Sequence, residues 1–324
     1  MKKKLVLFPL VLSLFLASCS KIGVQKPNLP NNVGTDEFAG KTFSSFGNRL
    51  EFKNDGTVLI SSIGGEDDEE MQVLNYNAEY RYDSSAKKLY LAASNLYVDG
   101  KLTSSLDEYV KVLMDDMTEN LDGMIESSYV KIDDESKKIY ETIIGKSYES
   151  HGRSVLETML SYDYNLSSDG KSLELKEIPP ENPQALTMMG CDDDMKFNMI
   201  IYGNEFVFSD YVSDPENMEQ DYGSQSNVHY AFVRWNDAGT EFSGDVYSIG
   251  MTGVSGEVFQ QVFKCSRDGK IKGKLKYWTE KSDGMDFYFA DYEFTEVPEC
   301  LKDIKKASLG DPLTNYSDTY TLVD

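Results

Sequence analysis

The chain has 324 residues, of which 55 are acidic and 32 are basic, and its net charge at pH 7 is −23. An acidic surplus of this size repels nucleic-acid backbones and anionic lipid headgroups, which excludes a DNA- or RNA-binding role. The length allows two domains of ordinary size, each able to bury its own core. With 21 tyrosines and 16 phenylalanines against two tryptophans, the composition favours β-structure.

The first 19 residues have the pattern of an export signal. Three lysines at positions 2–4 precede an apolar run at 5–16, which is too short to span a bilayer because a spanning helix needs about 20 residues. The run ends in Leu16-Ala17-Ser18-Cys19. With this ending the chain resembles bacterial lipoprotein precursors, whose lipobox these four residues match.

The resemblance implies how the protein is processed and anchored. It implies a signal peptide of residues 1–18, cleavage between Ser18 and Cys19, diacylglycerol on the Cys19 thiol, and acylation of the new amino terminus by chains such as palmitate. Three acyl chains anchor a protein stably, so the expected partner of Cys19 is a lipid bilayer. Ser20 favours the outer membrane of the cell envelope, because the family's inner-membrane retention signal is an aspartate at that position. Cleavage removes three lysines and no acidic residue, which leaves 29 basic and 55 acidic residues and a net charge of −26.

Residues 19–36 are predicted to form a flexible tether between the anchor and a body that begins near Glu37. Pro27, Pro30 and Gly34 interrupt this segment, which has little apolar surface to bury.

Hairpin signals recur through the body. Asn54-Asp55-Gly56 is a turn whose glycine permits positive φ, and Asp268-Gly269 is predicted to be another. After the second turn, Ile271, Leu275 and their alternate neighbours face one way and three lysines face the other, as in a half-buried strand. Strands are predicted at 50–52, 58–60, 79–82, 88–91, 173–175, 271–277 and 285–294.

Two helices are predicted. Ser105-Leu106-Asp107-Glu108 has the spacing of a capping box, and the apolar spacing that follows predicts an amphipathic helix over 105–122 that Gly123 ends or kinks. A shorter helix is predicted over 299–309, because Pro298 precedes it and Gly310 follows it.

A weak repeat suggests two related β-modules. Gly40-Lys41-Thr42-Phe43 and Gly145-Lys146-Ser147-Tyr148 lie 105 residues apart, although chance similarity between hairpins would give the same pattern. With the hairpins that follow, the first module resembles the lipocalin-like (calycin-type) domains of spirochaete and Bacteroidetes lipoproteins. The resemblance implies a mainly β fold of two antiparallel barrel or sandwich modules with one inserted helix. The predicted divisions are 37–142 for the first module, 143–298 for the second, and 299–324 for a C-terminal helix and tail.

The sequence gives no catalytic constellation. The Gly-Lys-Thr and Gly-Lys-Ser triplets lack the upstream glycine of a P-loop, and there is no G-x-S-x-G elbow. His151 is expected in a turn and His229 in a strand, where histidines are mostly structural. We therefore expect no enzymatic activity and no cofactor.

Two weaker site predictions concern acidic residues and cysteines. Asp192, Asp193 and Asp194 are the densest candidate for a hard cation such as calcium, but no EF-hand spacing supports them, and a structural loop is the preferred interpretation. Cys191, Cys265 and Cys300 remain after lipidation of Cys19. An exported chain can form one disulfide among these three, and Cys265–Cys300 is the preferred pair because both lie in the last third.

The sequence thus predicts an anchored, exported, non-enzymatic binding module. A small barrel can hold one small apolar ligand, although a filled core is the commoner outcome. One alternative is a surface adhesin or host-interaction protein that binds a protein partner through loops such as 64–71 and 213–227. The other is a carboxylate-based glycan hydrolase.

Overall fold

A computed structural model describes residues 26–45, 48–62, 75–98, 101–103, 105–178, 187–210, 225–254, 260–282, 285–312 and 317–323. Within these ranges the chain is mainly β, with two barrel-like antiparallel sheets and an inserted helix, as the sequence predicts. A second helix, which the sequence does not predict, follows the first. The signal peptide, the cleavage site at Ser18 and the lipidation site at Cys19 lie outside the described residues, as do residues 64–71 and most of 213–227.

Eight antiparallel strands form the first barrel, called barrel A. Its strands follow the ring order β1-β2-β3-β4-β5-β8-β9-β18, and the ring closes where β18, the last strand of the chain, pairs with both β1 and β9. The strands are β1 (Thr42–Ser45), β2 (Asn48–Phe52), β3 (Thr57–Ser62), β4 (Asn75–Asp83), β5 (Lys88–Val98), β8 (Met159–Leu166), β9 (Ser172–Ile178) and β18 (Ser317–Leu322), with β6 (Lys101–Thr103) as a hairpin on β5.

Aromatic side chains fill the interior of barrel A. Phe38 is fully buried and its ring stacks on Phe52, with the centroids 5.0 Å apart. Tyr80 meets Phe52 edge to face at 5.1 Å, and Tyr164 meets Phe38 at 4.9 Å. Such edge contacts add about 0.5–1.5 kcal/mol each to the stabilisation from burial. This part of the interior is therefore a packed core.

The eight strands of the second barrel, barrel B, run in sequence order. The strands are β10 (Thr187–Cys191), β11 (Phe197–Tyr202), β12 (Glu205–Asp210), β13 (Gln225–Trp235), β14 (Glu241–Val254), β15 (Gln260–Ser282), β16 (Met285–Glu296) and β17 (Lys306–Pro312). Phe206, Phe242 and Tyr292 lie at the centre of its core, with the Phe206 and Phe242 rings 5.0 Å apart.

Two helices and a short strand join the barrels: α1 (Leu106–Glu126), β7 (Val130–Ile132) and α2 (Asp134–Glu157). The predicted cap is confirmed, because Ser105 accepts a hydrogen bond from the Glu108 backbone at 3.1 Å. Gly123 does not end α1, which continues to Glu126. Helix α2 packs on the outer face of barrel B through Ile143, and β7 pairs in parallel with the first residues of β15.

Helix α2 corrects several predictions. Asp133 caps it by accepting a 2.7 Å bond from the Ser136 backbone, so 134–157 is helical and Gly145-Lys146-Ser147-Tyr148 is not a strand. The repeat with Gly40-Lys41-Thr42-Phe43 is therefore wrong, and His151 lies on a helix rather than in a turn. The predicted module boundary at 142/143 also falls inside α2.

The module boundaries differ from those predicted because the barrels are nested in sequence. Barrel A takes its strands from 42–103, 159–178 and 317–322, and barrel B lies between its last two strands. The predicted helix over 299–309 is also wrong: a single 3-10 turn, Glu299–Leu301, is followed by β17, whose Ala307 and Leu309 enter the core of barrel B.

The last residues of the predicted tether belong to barrel A. Val33 bridges to Asp83, and the Asn32 side chain accepts a 3.1 Å bond from the Tyr82 backbone. Asp36 accepts a 2.8 Å bond from the Tyr80 hydroxyl. The folded body therefore begins near residue 32 rather than at Glu37.

Candidate functional site

A pocket of about 190 Å³ lies where one end of the barrel A interior meets α2 and barrel B. Two of its wall residues, Tyr76 and Leu160, pack against the barrel A core, while Tyr202 of β11 and residues of α2 close the other side. The complete lining is Tyr76, Leu91, Ala93, Ser154, Val155, Thr158, Leu160 and Tyr202. A cavity of about 150 Å³ lined by apolar side chains binds benzene, so this pocket has the size for a small ring.

The electrostatics near the pocket disfavour an anion. Burial, together with the neighbouring Tyr320, Tyr202 and Glu177, raises the pKa of Tyr76 to about 12, so the phenol stays neutral and can donate a hydrogen bond. The pKa of Glu177 is also raised, first by burial and then by the negative charge of Asp318. The pocket therefore suits a neutral, mainly apolar molecule.

Contacts of the buried Glu205 with residues of α2 hold the barrel B wall of this pocket against that helix. Glu205 is 2 % exposed, and its carboxylate lies 3.0 Å from Nε2 of His151 and accepts a 3.1 Å bond from Ser147. The His151 ring meets the Tyr202 ring edge to face at 4.7 Å. Serine and histidine at a four-residue spacing on α2 thus position the Tyr202 side of the pocket.

Comparison of the chain with protein-family models, with curated proteins and with solved structures gave no match. Neither α1 nor α2, nor any other helix in the described ranges, has an apolar stretch that would span a bilayer.

The candidate cation ligands Asp192, Asp193 and Asp194 follow β10. The carboxylates of the first two accept hydrogen bonds from backbone N–H groups. Asp192 is 2 % exposed and accepts 2.7 Å bonds from the backbone N–H groups of Lys196 and Phe197. Asp193 links the first and last strands of barrel B, β10 and β17. Its carboxylate accepts a hydrogen bond from the Ser308 backbone, and its own N–H donates to the Lys306 carbonyl, both at 3.0 Å. These bonds favour the structural loop over the cation site.

Replacing Asp192 with alanine should destabilise the protein by about 3–6 kcal/mol, because the backbone N–H groups of Lys196 and Phe197 lose a charged acceptor at roughly 1.5–3 kcal/mol each. Chemical unfolding of the wild-type and variant proteins measures the change. Asp194→Ala is the matched control: Asp194 is exposed in the same loop, so its replacement should change the free energy of unfolding by less than about 0.5 kcal/mol. Equal effects of the two variants would contradict the role of Asp192.

The predicted Cys265–Cys300 disulfide is not formed. Cys191, Cys265 and Cys300 are all free thiols. Cys265 lies on the outer face of barrel B, in the cluster that packs against α2, whereas Cys300 lies beside Ser248 on the opposite face. Ser248 and Ile249 are neighbours on β14, and Ile249 is the strand partner of Cys265. Since successive strand residues face opposite sides of a sheet, the sheet separates the two thiols.

The pocket residues were not predicted individually. Tyr76 belongs to an alternating series on β4 with Tyr80 and Tyr82, and such alternation indicates which face turns inward. The opposite wall, at Ser154 and Tyr202, forms because α2 contacts both barrels. A contact between elements so distant in sequence cannot be inferred from a local sequence pattern.

Proposed function

We propose that this protein is an exported lipoprotein, anchored in the outer membrane through acylated Cys19, whose body is a non-enzymatic binding module for a small, neutral, apolar ligand. The pocket at the α2-covered end of barrel A carries this proposal. The packed aromatic core leaves little room deeper in the barrel, so the ligand would bind at its end.

The chemistry of the lining supports this ligand class. Leu91, Ala93, Val155 and Leu160 supply apolar contacts, while Tyr76 supplies a neutral phenol. A few polar groups in a mainly apolar pocket are typical of small-molecule sites. Interaction through loops 64–71 and 213–227, or glycan hydrolysis by paired carboxylates, is favoured by no feature of the residues that the structure describes.

Toluene is a suitable probe because it approaches the pocket in size and carries no charge. We expect it to bind with a dissociation constant of about 0.1–1 mM, corresponding to about 4–5.5 kcal/mol, as measured by calorimetry or chemical-shift titration. Benzoate, of similar size but anionic, should bind at least about tenfold more weakly, because Glu177 acts electrostatically on the lining residue Tyr76 and Asp318 acts on Glu177.

Filling the pocket gives the decisive comparison. Ala93→Leu places a larger side chain on the pocket wall and should abolish toluene binding. Ala86→Leu is the matched control, because Ala86 is exposed in the turn before β5 and does not line the pocket. No binding by the wild-type protein, or unchanged binding by a folded Ala93→Leu variant, would refute the proposed site.

A further inference from the structure

A histidine, an aspartate and a cysteine converge on the inner face of the barrel B sheet, opposite the face that α2 covers. A ring nitrogen of His229, a carboxylate oxygen of Asp268 and the Sγ of Cys300 all lie within 4.8 Å of one another. They come from β13, from β15 and from the 3-10 turn after β16. His229 is buried, whereas Asp268 and Cys300 are partly exposed, so the cluster is reachable from solvent.

A β-bulge places Asp268 in this cluster. Tyr247 pairs with Arg267 and Val246 pairs with Gly269, so Asp268 is an extra residue without a partner on β14. Gly269 follows with φ of 134°, a left-handed conformation that favours glycine. Bulges redirect side chains and often lie beside sites. The predicted Asp268-Gly269 turn is thus wrong, because β15 continues through the bulge.

Hydroxyl groups hold the cluster in place. The Ser248 hydroxyl donates to Asp268, and Nδ1 of His229 lies 2.5 Å from the same hydroxyl. Because the serine proton goes to the carboxylate, Nδ1 is the donor in the second bond. Ser266 donates to the other Asp268 oxygen at 2.7 Å. Supporting hydrogen bonds of this kind orient histidine and carboxylate ligands at metal sites.

The donor set matches a metal of the zinc class. Imidazole nitrogen, thiolate sulfur and carboxylate oxygen all bind Zn²⁺, and tetrahedral geometry places ligand atoms about 3.3–3.6 Å apart. The ligand atoms lie within 4.8 Å of one another, so the most distant pair would have to close by at most about 1.2–1.5 Å. Cys300 can supply this movement because it lies on a single 3-10 turn and not in a strand.

Charge balance favours a divalent ion. The thiolate and carboxylate carry two negative charges, which a divalent ion neutralises on a partly buried surface where unpaired charge is costly. Asp210, at the end of β12, adds negative potential at His229. On binding, the Cys300 thiol loses its proton to solvent and the metal takes its place.

We propose that His229, Asp268 and Cys300 bind one divalent transition-metal ion of the zinc class, with a fourth coordination position open to solvent. The site is independent of the pocket at barrel A. Three protein ligands leave one position of a tetrahedral zinc site for water or another small ligand.

Titration of the full-length protein with Co²⁺ tests the proposal, because thiolate coordination gives a sulfur-to-cobalt charge-transfer band. We expect one equivalent per chain, and a loss of the band with at least about tenfold weaker binding in Cys300→Ser and His229→Gln. Cys191→Ser is the matched control and should keep the band. A band that survives in Cys300→Ser, or disappears in Cys191→Ser, overturns the assignment.

A measurement on the wild-type protein tests the same site without relying on variants that could misfold. Zn²⁺ should slow the alkylation of Cys300 at least about tenfold and leave that of Cys191 unchanged, as mass spectrometry of the labelled peptides would show. Equal protection of both thiols, or protection of neither, would count against the site.

Discussion

Removal of residues 317–324 should open barrel A and leave barrel B folded. Strands β1 and β9 both pair with β18, so the truncation leaves each of them with one unpaired edge. Phe43 also loses Leu322, the residue opposite it on β18. The core also loses Tyr320, which is 6 % exposed; truncation of a large buried aromatic residue costs about 3–5 kcal/mol by itself. The whole strand contributes more than this, so we expect barrel A to lose its fixed packing.

Hydrogen exchange resolves the two barrels. Amides of β2, β3 and β9 should lose protection in the truncated protein, while those of β13 to β15 should keep it. Tyr320→Asp should reduce the protection of the same barrel A amides, but less than the truncation does. Thr319→Asp, on the exposed face of the same strand, is its matched control and should leave their protection unchanged. Unchanged protection throughout barrel A would show that β18 is dispensable.

Replacement of Cys19 with alanine should move the protein from the membrane fraction to the soluble fraction. The alanine has no thiol to receive diacylglycerol, and in the lipoprotein scheme that modification precedes cleavage and further acylation. After the proposed cleavage the body would carry a net charge of −26, which repels anionic headgroups.

Cell fractionation with mass analysis of the amino-terminal peptide measures this change. Cys191→Ala is the control, because it removes a thiol of β10 and should leave the protein in the membrane fraction. Recovery of wild-type protein with an unmodified Cys19 would refute the anchor, whatever the fold of the body.

Local chemistry made part of the fold predictable from the sequence. The Asn54-Asp55-Gly56 turn forms with Gly56 at φ 81°, and the 271–277 alternation buries Ile271 and Leu275. Ser105 likewise caps α1 as its spacing predicts. In each case the residues that determine the structure are neighbours in sequence.

Features that depend on distant contacts were missed. Helix α2 packs against both barrels, so its buried residues do not form a single apolar stripe and its apolar spacing is weak. Gly145 and Gly152 further interrupt the helical pattern in the sequence. Gly152 is needed there, since a Cβ would lie 2.6 Å from Leu106 Cδ1 of α1. The clustering of His229, Asp268 and Cys300 likewise depends on strand register and on one bulge.

The nesting of barrel B within barrel A imposes an order on folding. Residues 187–312 contain every strand of barrel B, so that unit can form before the last strand of barrel A is available. Barrel A must wait for its final strand, and until then β1 and β9 are unpaired edges that can join to those of another chain. The protein is therefore most vulnerable to aggregation and proteolysis in the interval before β18 becomes available to pair with β1 and β9.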